Sequence, residues 1–287
     1  MKKMKCAQED YTANDLPLTR KDVFFECYKE RFSLIFKIGL VCLLSLLPAF
    51  IVMFMKDLYI ISATSTLPEQ TEEAILNIYY SANAVYGLFE VGAFVVFGVL
   101  FAGVVQILRQ MLWNEPIFFG DDFKNGLKSN AVRFGTSAFI LVMLNYLLNM
   151  LTESLWTYIL SGGFIVLILP VAVWFGLQNI YYRVGGFASI KNAILMYTKT
   201  FPVTMLLFVA TIIPFWLATS VINFVFIKLI VLLVMGLFYV VPLTMCWILY
   251  ALHIFDKYIN QEQYPEIYRK GMRKRTEENE AQETRSL

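Results

Sequence analysis

The sequence predicts an all-α polytopic membrane protein: six transmembrane helices paired as three hairpins, each preceded by a short cytoplasmic amphipathic interfacial helix. Composition is the first reason. Of 287 residues, 58% are hydrophobic and 16% charged, with mean hydropathy +0.61. A soluble domain runs near 45–50% apolar and about 25% charged, so the surplus needs an apolar solvent as well as a core. Length is the second: several apolar runs reach roughly 18 residues or more, and about 20 helical residues cross bilayer hydrocarbon. The third is a repeated unit, in which a polar stretch with aromatics at helical spacing leads directly into an apolar run.

About thirty polar residues of mixed charge precede the first run, unlike the short basic stretch and 7–15-residue apolar core of a signal peptide. The first span is therefore expected to direct insertion. Spans are predicted at 34–55, 85–108, 134–151, 158–177, 203–223 and 230–252, within one membrane domain covering 1–259. Residues 260–287 are rich in charge and read as a disordered tail. The segment 56–83 is the one sizeable loop on its side; from Glu72 it is helical in pattern, either lengthening span two or lying on the surface.

Orientation follows from Lys and Arg. The N-terminal segment, the connections after spans two and four, and the C-terminal tail hold 21 of them, against Lys56 and Lys228 on the other side. Both termini are thus expected in the cytoplasm. Lys37 to Lys56 and Glu90 to Arg109 are each 19 residues apart, about 28 Å of helix. Lys37 and Arg109 then lie near the inner interface and Lys56 and Glu90 near the outer one, which makes Lys56–Glu90 the expected ion pair. Pro48, Pro170, Pro214 and Pro242 each fall inside a span, where proline frees a carbonyl and usually kinks the helix. Gly98 and Ala102 form a small-residue pair suited to helix packing.

The repeated unit is clearest in two connections. KNGLKSNAVRF at 124–134 and KNAILMYTKTF at 191–201 align without gaps at an offset of 67, each entering an apolar span. Phe123, Leu127, Ala131 and Phe134 share one helical stripe, as do Phe187, Ile190, Ile194, Tyr197 and Phe201, with lysines opposite. Phe24, Tyr28 and Phe32 repeat the spacing ahead of span one. Such helices lie in a membrane interface. Asp121 and Asp122, which suit a helix start, have only Ala188 and Ser189 as counterparts.

Enzyme chemistry has little to stand on. HExxH, GxSxG and GxxxxGK[ST] are missing, His253 is the single histidine, and Cys6, Cys27, Cys42 and Cys246 show no paired spacing. The expectation is therefore no catalytic residue, no metal and no cofactor, and a formal charge of +2 gives no reason to expect nucleic acid. A pocket or interaction site facing the cytoplasm is the sharper candidate, bounded by Asp121, Asp122, Lys124 and Lys128 and by the cluster Gln178, Tyr181, Tyr182 and Arg183. The rival reading of both groups is an interfacial helix and an aromatic belt.

Three stretches carry a family resemblance: FKIGLVCLLSLLPAF, AGVVQILRQMLWNEPIFFGDDFKNGLKSN and LQNIYYRVGG. In these the chain resembles the YesL-like family of bacterial integral membrane proteins, a domain of unknown function. The resemblance implies a six-span protein of the bacterial cell membrane, found alongside carbohydrate uptake and polysaccharide-degradation systems. It supplies no catalytic residues. The longer loop at 56–83 departs from the family. Taken together, the expectation is a non-enzymatic accessory or regulatory component linked to carbohydrate uptake, in the bilayer and beside an ATP-driven sugar transporter. The alternative is a small-solute transporter or channel.

Overall fold

A computed structural model describes residues 16–67, 71–151, 154–182, 184–222 and 224–273. Helices account for nearly all of them, and no strand occurs among the described residues. Six helical stretches are long and apolar enough to cross a membrane: 32–65, 72–112, 119–150, 155–181, 201–220 and 240–263. The chain is a multi-pass membrane protein.

The helix α1 (Arg20–Glu30) opens with a capping box, Thr19 and Asp22 each bonding the other's backbone N–H. It breaks from α2 (Phe32–Ser65) at Arg31, whose backbone leaves the helical region. The following helix, α3 (Glu72–Leu112), starts at a Thr71 cap and includes the amphipathic stretch after Glu72, so that stretch lengthens span two. Each is well beyond the ~20 residues that a bilayer requires, and the α2–α3 hairpin projects past the level of Lys56 and Glu90.

α4 (Phe119–Met150) is one continuous helix. Here the predicted separate interfacial helix is fused to its span. Packing explains the fusion. A Cβ on Gly126 would fall 2.8 Å from the Ala102 carbonyl, and one on Gly98 would fall 3.0 Å from the Phe134 carbonyl. Backbone contact with α3 thus runs through the predicted junction. By contrast, α7 (Gly186–Lys199) does separate from α8 (Phe201–Ser220), at Thr200 just before Pro202. The fourth span is α5 (Leu155–Gly163), a π-helical turn at 164–168, and α6 (Leu169–Tyr181). Pro170 lies just beyond that turn, where the Leu169 N–H reaches Phe164 instead of the usual partner four residues back.

The predicted sixth span at 230–252 straddles two helices, α9 (Val225–Phe238) and α10 (Val240–Phe255). Pro242 offers no N–H to the Phe238 carbonyl four residues before it, and the axis breaks at Tyr239. α9 packs on α2, so closely that a Cβ on Gly39 would lie 2.3 Å from the Leu237 carbonyl oxygen. α10 lies deepest, with Val241, Met245, Ile248, Ala251 and Phe255 fully buried against α2, α3 and α6. The predicted disordered tail also begins too early. After a π-helical turn at 256–260 and α11 (Gln261–Gln263), the chain packs back on the bundle through Arg273, with Met272 buried. Apolar Ile259, Ile267 and Met272 anchor this stretch. Residues 274–287 lie outside the described residues.

Candidate functional site

At the end of the bundle that carries most Lys and Arg, α1 and the C-terminal turn clasp the connection between α3 and α4. That connection starts where α3 ends. Trp113 caps the helix, and Asn114 takes a left-handed conformation (φ 56°), which asparagine tolerates better than most residues. Arg31 holds this corner, donating to the Met111 carbonyl at 3.4 Å and to the Asn114 side chain. From the other side, Lys270 pairs with Glu115 at 2.5 Å and sits 4.3 Å from the Trp113 ring. Next to it Gly271 has φ +79°, and a Cβ there would lie 2.7 Å from the Leu112 carbonyl oxygen. Glycine is required on both counts.

The clasp closes through Arg20. Its guanidinium bonds Asp256 at 2.6 Å and the Lys270 carbonyl at 3.3 Å. Both side chains of the Arg20–Asp256 pair are nearly buried, 10% and 11% exposed. The second Asp256 oxygen accepts from the Asn260 amide at 2.8 Å, and Asn260 in turn accepts from the Tyr182 hydroxyl. Arg269 donates to the Leu18 carbonyl and the Arg273 N–H to the Pro17 carbonyl, both at 3.0 Å. Arg109, at the end of α3, donates to the Ile180 carbonyl and lies 5.1 Å from the Trp113 ring, which also packs on Tyr181. A removed buried partner leaves the other charge uncompensated, so Arg20 and Asp256 stand or fall together.

Electrostatics here are those of a framework. Burial, assisted by the Asp256 charge, pushes the Tyr182 hydroxyl above its ordinary range. A groove of about 300 Å³ runs between α1, the end of α3 and Gly271, lined in part by Glu26, Glu30 and Cys27. Burial and then the nearby Glu30 raise the Glu26 carboxyl. Burial lifts the Cys27 thiol to about 11, and it points at the Met111 carbonyl. The thiol stays protonated at neutral pH, the state of an inert cysteine. Among the described residues no group of three His, Cys, Asp or Glu side chains is placed to hold a metal ion.

The sequence-predicted residues separate into several places. Asp121, Lys124 and Lys128 are exposed on α4. Asp122 turns inward instead, accepting from the Gln110 side chain at 2.9 Å and from the Phe118 N–H at 2.6 Å. It pins the start of α4 to the end of α3, reaching back to a free backbone N–H as an N-terminal cap does. Gln178 is buried and donates to the Ser189 carbonyl at 2.8 Å, joining α6 to α7. Tyr181 and Tyr182 belong to the clasp. Arg183 lies outside the described residues. Geometry thus joins the two tyrosines to Trp113, Asp256 and Asn260, which sequence reading missed because these partners lie far apart in the chain.

At the opposite end, Lys56 and Glu90 pair at 2.7 Å, with side chains 20% exposed. Asp57 pairs with Lys228 at 2.8 Å. Adjacent helical positions point about 100° apart, so α2 binds α3 through Lys56 and α9 through Asp57. Asn83, Asn145, Tyr146 and Asn149 join Lys56 and Glu90 around a pocket of about 20 Å³, room for about one water.

No family model matches the chain, and neither the curated proteins nor the solved structures yield a match.

Proposed function

We propose that this chain is a non-enzymatic component of a cell membrane that assists or regulates a transport system through the face formed at its basic end. The observation that carries this reading is the clasp. Two ion pairs, Arg20–Asp256 and Lys270–Glu115, tie an N-terminal helix, the α3–α4 connection and the C-terminal turn into one platform. A platform held by charges from distant parts of the chain is suited to present a fixed surface. The 21 Lys and Arg on that side of the predicted topology support a cytoplasmic placement. An ATP-driven sugar transporter is the partner implied by the likeness to YesL-like bacterial membrane proteins. Gentle solubilisation and pull-down should recover such a transporter subunit, and Arg20→Ala should reduce that recovery while leaving the spans in the membrane. Repeated recovery of the protein alone, where other membrane complexes survive, contradicts the proposal.

One observation favours a second reading, small-solute transport: the polar pocket around Lys56, Glu90, Asn145 and Asn149 lies among membrane-spanning helices. Flux of a sugar or small ion into liposomes that hold only the purified protein would support it, and absence of flux would remove it.

A further inference from the structure

Two carbonyls orphaned by prolines are each taken up by a tyrosine from another helix. Pro170 has no N–H to offer the Val166 carbonyl four residues back, and the Tyr197 hydroxyl of α7 donates to that oxygen at 2.6 Å. Pro214 leaves the Ala210 carbonyl in the same position within α8, and the Tyr239 hydroxyl donates to it, also at 2.6 Å. The correspondence reaches the individual oxygen in both cases. In hydrocarbon there is no water to replace such a bond.

Tyr239 adds a second element of order. It stands at the break between α9 and α10 that Pro242 causes, so its hydroxyl joins that break to α8, a continuous helix with Pro214 inside it. Its ring packs edge-on against Phe215, next to Pro214. One turn away, the Trp247 indole N–H of α10 donates to the Thr211 hydroxyl of α8 at 3.0 Å. Beyond these ties α8 is held mainly near its start, where the Trp174 indole N–H donates to the Thr204 hydroxyl at 3.3 Å, and among its residues only Thr204, Phe208 and Ala218 are buried. A helix with an internal proline, sparsely packed beyond it and tied at the carbonyl that the proline leaves free, has the parts of a hinge with a latch.

We propose that Tyr197 and Tyr239 are latches that fix the proline kinks at Pro170 and Pro214, and that releasing a latch frees the half-helix beyond its proline to swing. The latch exists because of the proline. With alanine at 214, the residue's own N–H takes the Ala210 carbonyl, and the tyrosine hydroxyl has nothing left to satisfy.

The test is a cycle of Tyr239→Phe and Pro214→Ala in the full chain in lipid nanodiscs, with spin labels at 203 and 219 reporting the bend of α8 by pulsed electron resonance. The unsubstituted protein should give a single narrow distance. Tyr239→Phe should split or broaden it, and Tyr239→Phe with Pro214→Ala should return it to one narrow distance, longer than the original as the helix straightens. Equal broadening by Tyr239→Phe in both backgrounds, or none in either, overturns the proposal. Should the Tyr239 variant fail to fold, Tyr197→Phe with Pro170→Ala gives the same comparison, with labels at 159 and 177. Failure there would leave the clasp and its proposed role untouched.

Discussion

Lys56 illustrates what single residues do in this bundle. It is one of the few charges inside the apolar part of the chain, it pairs with Glu90 at 2.7 Å, and the neighbouring Asp57 pairs with Lys228. Helical rise alone places Lys56 and Glu90 at one depth, and for that reason this pair is legible in the sequence. Asp57–Lys228 is not, because nothing local says that α9 returns to the same face of α2. Replacing Lys56 by Met should destabilise the protein, and replacing Glu90 by Gln as well should restore much of the loss, since an unpaired buried charge costs more than the absence of both. Thermal unfolding in detergent across this double-mutant cycle should show a coupling of roughly 0.5–3 kcal/mol. Additive effects would mean that the two charges do not meet. Gly271 represents the opposite case: a glycine in a charged C-terminal segment looks like linker until its left-handed backbone is seen to lie against Leu112 and Trp113.

Among elements, the helices themselves were largely readable and their ends were not. Apolar length announced the spans, but α2 and α3 run on past them, because an amphipathic extension carries no stop signal between Met55 and Ser65. The amphipathic helices before spans one and five are separate, at breaks marked by Arg31 and Thr200, whereas the one before span three is absorbed into α4. Close packing on α3 decided this, and packing does not show in a periodicity. The same contact logic gives a sharp expectation for α2 and α9. Gly39→Val would drive a side chain into the Leu237 backbone, and overpacking of this kind costs about 1–3 kcal/mol. The variant should melt at lower temperature and lose a cysteine cross-link engineered between α2 and α9, while Gly92→Val, with open space around it, should do neither. Equal tolerance of both changes would show that α2 and α9 do not approach as described.

At the scale of the whole molecule, α3 packs between α2 and α4, α10 is the most enclosed helix, and both described chain ends meet at one end of the bundle. The even number of spans made the meeting of the two ends legible in outline, whereas the packing of α3 on α4 was not. The clasp was not legible, since Arg20, Glu115, Asp256 and Lys270 are ordinary charges at interfacial positions until the fold brings them together. Asp121 and Asp122, adjacent on a helix, must point about 100° apart, and one faces out while the other is tied to Gln110 and Phe118. Helix rotation separates them, and only the position of α3 says which is which.

We propose that the clasped, basic end of this multi-pass bundle faces the cytoplasm. Single cysteines in a cysteine-free background, probed in intact cells with a membrane-impermeant thiol reagent, test it most directly. A cysteine at 155, beyond α4, should label from outside, and cysteines at 128 and 262 should label only after the membrane is opened. Labelling of 128 or 262 in intact cells, with 155 protected, would contradict this orientation.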